Sequence, residues 1–133
     1  MTGENNLTIL LKNMSPALQE GIYVFLTSED QFPKEVSDKA VMIFKEVEGI
    51  TLVIPEEVAK ALNDKEQPRW AFITLTVHSD LNAVGFLAAI TERLAKAGIS
   101  VNTVSAYYHD HLFVPWERSA ETMEILHSFG EQH

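Results

Sequence analysis

Cysteine is absent from the chain. That excludes disulfide bridges, thiol nucleophiles and cysteine-ligated metal centres. Basic residues are scarce: ten lysines and arginines stand against 19 aspartates and glutamates, for a net charge of −9. Proteins that bind nucleic acid displace counterions with cationic side chains, so nucleic acid is not an expected partner. An anionic membrane surface is not an expected partner either, for the same reason. No apolar run approaches the roughly 20 residues of a membrane span. The first apolar stretch, Leu7 to Leu11, is too short for the core of a signal peptide and has no basic flank. A soluble, cytoplasmic protein is the expectation. There is also no Gly-rich phosphate loop, no Gly-x-Ser-x-Gly elbow and no two-histidine metal helix. Enzyme chemistry therefore has little to stand on, and no cofactor is called for.

What is present is enough apolar material for a core: 46% of 133 residues are hydrophobic. Leu7 to Leu11 reads as a short strand, and residues 13–21, broken by Pro16, as a turn or a helical turn or two. Ile22 to Thr27 is rich in β-formers and predicts a strand. Residues 28–38 read as a loop. Val41 to Val47 and Ile50 to Ile54 flank Glu48-Gly49, a hairpin signal. Pro55-Glu56-Glu57 opens a short helix through Leu62, with proline at a first helical position and acids at the positive end of the dipole. The charged stretch 63–68 is the expected internal boundary, dividing the chain into residues 1–66 and 67–133.

The second half is patterned more cleanly. Ala71 to His78 is apolar at both parities, which predicts a central strand. Ala83, Leu87, Ile90, Leu94 and Ala97 then fall on one stripe at helical spacing, with Asn82 as N-cap and Gly98 as stop. Ile99 to Tyr107 and Leu112 to Val114 form a hairpin around His109-Asp110. Ser119 caps a last helix through Met123, Leu126 and Phe129. This order predicts an α+β fold: a ferredoxin-like βαββαβ sandwich, with antiparallel sheets and helices on one face. A weak repeat points to duplication: Leu52-Val53-Ile54-Pro55-Glu56-Glu57-Val58 is echoed by Phe113-Val114-Pro115-Trp116-Glu117. The long helix has no full partner in the first half, so the first copy is degenerate.

Val77 to Ala106, with Gly85 near the helix start and Leu94-Ala95-Lys96-Ala97-Gly98-Ile99-Ser100-Val101 at its end, resembles an ACT domain. The longer stretch through Tyr107-Tyr108-His109-Asp110-His111-Leu112-Phe113-Val114-Pro115 is similar to small stand-alone tandem ACT-like proteins, relatives of the CASTOR-type arginine sensors. The resemblance is looser over residues 7–62. It implies a regulatory module that binds a small molecule, an amino acid above all, where two units meet. It places Asp80, Asn82, Val84, Gly85, Ser100 and Asn102 near that ligand.

The residues themselves support part of this. A helix N-terminus leaves backbone N–H groups unpaired and welcomes a carboxylate. The loop Ser79-Asp80-Leu81-Asn82 precedes such a terminus, Gly85 allows close approach, and Asp80 and Asn82 offer acceptors to an ammonium group. Ser100, Asn102 and Thr103 supply further polar groups, provided that they cross from a paired sheet. Plain helix capping by Asn82 is the competing account. His109 and His111 share a strand face, yet no third metal ligand stands at a fixed spacing. Small units with free sheet edges also favour a homodimer. The competing functional class is a ligand-free protein–protein interaction module, with a histidine metal site or an enzyme further off.

Overall fold

In the computed structural model, residues 3–63, 65–77 and 85–131 are described. The chain forms two compact units, one joining residues 1–20 to 71–133 and the other spanning 21–70.

The larger unit contains α1 (Gly3–Asn13), β1 (Ser15–Leu18), the main length of a strand that starts at Trp70, α4 (Phe86–Lys96), β6 (Asn102–Ser105), β7 (Asp110–Pro115) and α5 (Ser119–Ser128). The strand from Trp70 is β5 (Trp70–Thr76). Its sheet runs β1–β5–β7–β6. That is a complete ferredoxin-like sandwich whose last strand is supplied from the N-terminal end of the chain. β1 pairs antiparallel with β5, from Ser15 opposite Thr76 to Leu18 opposite Ile73. Pro16 has no N–H to give, and an edge strand tolerates it.

Side chains alternate along β5. Ala71, Ile73 and Leu75 face Phe86, Ile90, Leu94, Leu112, Val114, Leu126 and Phe129 in one buried cluster. Burying each large side chain contributes about 1.5–3 kcal/mol. Two polar clasps hold the helices. The Arg93 guanidinium lies 4.8 Å from the Phe129 ring centre and donates to Ser128 Oγ at 2.7 Å. Arg118 donates to the carbonyls of Gly98 and Ala97, satisfying the C-terminus of α4.

The smaller unit contains β2 (Tyr23–Ser28), α2 (Lys34–Ser37), β3 (Met42–Lys45), β4 (Ile50–Pro55) and α3 (Glu56–Leu62), in sheet order β3–β4–β2. Val24, Val36, Leu52, Ile54 and Ala59 are its core. The first-helix slot between β2 and β3 holds one turn, so this copy is the degenerate one. The duplication is visible in the burial of β4 and β7: both six-residue strands bury their third to fifth residues and end in proline.

Several local expectations are corrected. Leu7 to Leu11 is helical, and Leu7, Leu10 and Leu11 pack on the large core from one helix face. Residues 15–18 are a strand, not a turn. The place of the missing long helix is between β2 and β3, where α2 stands. A short helix interrupts the 28–38 loop. The position before α4 is held by Gly85, and a single 3-10 turn, Trp116–Arg118, precedes α5, whose first residue is Ser119. Asn82 lies outside the described residues. No helix among the described residues is long and apolar enough to cross a membrane.

The β3–β4 turn requires glycine. Gly49 has φ +154°, and a Cβ there would stand 2.5 Å from the Ser28 carbonyl oxygen. Both partners are backbone, so neither can yield cheaply. Gly49→Ala is expected to cost about 1–3 kcal/mol, read as a lower urea midpoint at unchanged m-value. An unchanged midpoint would show that the hairpin relaxes freely.

Candidate functional site

Ser79, Asp80, Leu81, Asn82 and Val84 lie outside the described residues. Gly85 occupies the position before α4 with φ +86°, and the Ala89 amide bonds back to its carbonyl at 2.9 Å. Among the described residues, no side chain caps this helix and no acid stands in its first turn.

Ser100, Asn102 and Thr103 are exposed. Asn102 pairs with Phe113 and Thr103 with Leu112, at the start of β6. Phe113 stacks on Phe72, while His111 bonds to Thr74. β7 thus descends as β5 rises, and the ends of the sheet are distinct. Asn102, Phe113 and Phe72 stand at one end. Ser105, Asp110, His111 and Thr76 stand towards the other, where the chain leaves β5 for residues 78–84. Gly85 is the next described residue, and α4, about 16 Å long, leads from it towards β6. Within one unit, Gly85 and the Ser100–Thr103 group are not brought together.

The sheet face away from the helices carries a polar chain that residue spacing does not reveal. Gln19 Nε2 donates to Thr74 Oγ1 at 3.0 Å, and Thr74 Oγ1 lies 3.0 Å from His111 Nδ1. Burial, then the nearby His109, hold the His111 pKa below its usual 6.5, against an opposing pull from Asp110. A neutral His111 with Nδ1 as acceptor completes the relay from Gln19 through Thr74. Asp110 accepts from Ser105 Oγ at 2.6 Å. The rings of His109 and His111 are 6.4 Å apart, and no group of three or more metal-ligating side chains occurs among the described residues.

The ACT-domain family matches the chain twice, over residues 2–69 and 66–128. The chain belongs to the ACT-domain family. A protein of unknown function from Vibrio cholerae, described as a possible transport protein, is 40% identical, with a TM-score of 0.86 over 97% of this chain and 99% of that one. A protein from Agrobacterium tumefaciens has 16% identity and a TM-score of 0.70, over 88% of this chain and 89% of its own. The ligand-free regulatory subunit of aspartate kinase from Thermus thermophilus has 12% identity and a TM-score of 0.62, over 86% and 97%. The last two share the tandem ACT fold. No curated protein matches in sequence.

A depressed His111 pKa has a definite consequence for stability. The unfolded chain takes up its proton near pH 6.5, before the folded chain does, so the folded state loses stability as pH falls below that value. Urea midpoints are expected to rise between pH 5 and 7, with a shallower rise in His111→Gln. Equal slopes in the two proteins would overturn this assignment.

Proposed function

We propose that this ACT-family protein is a regulatory module, not a catalyst, that binds an amino acid at the N-terminus of α4. The observation that carries this reading is the start of α4 at Gly85, uncapped by any described side chain, directly after the polar sequence Ser79-Asp80-Leu81-Asn82 and two further residues. Backbone amides at such a terminus receive an α-carboxylate, and Asp80 and Asn82 receive the ammonium group. The family resemblance to small-molecule-responsive modules, the CASTOR-type arginine sensors among them, points the same way. The acidic balance of the chain suits a ligand that carries its own cation.

The separation of Gly85 from Ser100, Asn102 and Thr103 within one unit bears on assembly. A pocket that uses both sets takes them from two copies of the chain. Ligand then favours the homodimer by differential affinity, because only the paired arrangement offers both halves. Free surface for pairing exists: the edge strand β3 exposes Ile43 and Phe44, and Val41 and Val47 beside it are also exposed. The working compartment in this reading is the cytoplasm.

A thermal-shift screen of the purified chain against the twenty amino acids tests the reading. Ligand at a hundred times its Kd adds about 2.7 kcal/mol, and Tm rises by several degrees. Asp80→Ala with Asn102→Ala is expected to abolish that shift while leaving the unliganded Tm in place. A flat screen would favour the alternative, a ligand-free interaction module. For the assembly, Ile43→Lys with Phe44→Lys is expected to give a monomer in sedimentation analysis if β3 is the contact. An unchanged dimer would move the contact elsewhere.

A further inference from the structure

The smaller unit holds a cleft of about 360 Å³ between α3 and residues 65–69. Its floor is apolar, formed by Val24 and Ala59. Its walls carry three of the ten cationic side chains in a molecule of net charge −9: Lys60, Lys65 and Arg69. Glu56 and Glu66 are the acids that line it. The cleft is thus net positive in an acidic protein.

Glu56 organises the wall. Its side chain is 19% exposed; Oε2 accepts from Arg69 Nε at 3.0 Å, and Oε1 lies 3.5 Å from Lys60 Nζ. Both of its oxygens are therefore engaged, and it has little left for an incoming ammonium group. Arg69 is different. Its Nε is spent on Glu56, which fixes the plane of the guanidinium, while its terminal nitrogens have no protein acceptor among the described residues. The Lys65 ammonium has none either; only the Lys65 backbone is bonded, to Asn63 Oδ1 at 2.9 Å. Glu66 is likewise without a partner among the described residues, so the charge left unspent in the cleft is two cations against one carboxylate, a positive balance.

We propose that this cleft binds a small organic carboxylate, separately from any ligand at α4. The carboxylate sits on the terminal nitrogens of Arg69, whose fork matches its geometry, with Lys65 as a second cation. A short apolar stem covers Val24 and Ala59. The volume suits a ligand of few heavy atoms. Inorganic phosphate has no stem to place on that floor and binds less well.

The test is an NMR titration of the isotope-labelled full chain with sodium acetate, propionate and butyrate, with ionic strength held by sodium chloride. Butyrate is expected to produce saturable shifts at the Arg69 Nε–Hε group and the Val24 and Ala59 methyls, and to bind more tightly than acetate. Arg69→Gln is expected to weaken butyrate about tenfold or more, the loss of one charge-assisted contact. Lys65→Gln, at an exposed side chain with no bond in the fold, tests the same site if Arg69→Gln does not fold. Asp80→Ala with Asn102→Ala is expected to leave butyrate binding unchanged, which separates this site from the amino-acid reading. Shifts that do not saturate, phosphate binding as tightly as butyrate, or affinity unchanged in both cleft variants would overturn the proposal.

Discussion

The larger unit depends on β5 being paired along both edges. With β7 on one side and β1 on the other, its register fixes two faces at once. A slip of one residue would send Phe72 and Thr74 into the helical core and put Ile73 and Leu75 outside. Four consecutive β1 pairs resist that slip. So does Gln19, whose backbone amide bonds to the Phe72 carbonyl and whose side chain reaches Thr74. The N-terminal strand is therefore the lock on the register of the strand that precedes α4 in the chain.

The sequence was most legible where apolar spacing is long and regular. The stripe of α4 and the two strand–proline–helix units were readable because periodicity and proline act locally. Leu7 to Leu11 misled because a five-residue apolar run is compatible with both periods. The i, i+3, i+4 spacing of Leu7, Leu10 and Leu11 favours the helix that forms, and packing on a distant core decides it. Residues 15–18 were illegible for a different reason. Four residues containing proline have almost no intrinsic strand signal, and only the open edge of β5 makes them one.

The candidate site divides the same way. A polar loop ahead of an amphipathic helix is a local pattern, and Gly85 with its positive φ marks where that helix begins. The relay from Gln19 through Thr74 to His111 could not be read from spacing, because its partners lie 55 and 37 residues apart. Nor could the charge of the cleft beside α3, which Glu56 and Arg69 assemble across 13 residues. A net charge of −9 describes the whole chain and conceals a cleft whose lining is net positive.

The chain path couples the two units energetically. Gln19 leaves the larger unit hydrogen-bonded to Phe72, where the chain has just returned. Residues 21–70 are thus an insertion between two strands that must meet. Closing a flexible loop of that length costs about 3.5 kcal/mol in its length-dependent part. The pair Tyr23↔Trp70, together with the edge-on packing of Phe25 against Trp70, holds the two ends of the insertion together within the smaller unit itself. Once that unit is folded, β1 and β5 start as near neighbours and most of the closure entropy is already lost. Substitutions that unfold the smaller unit should therefore also loosen β1, and with it the register of β5, although they touch neither strand.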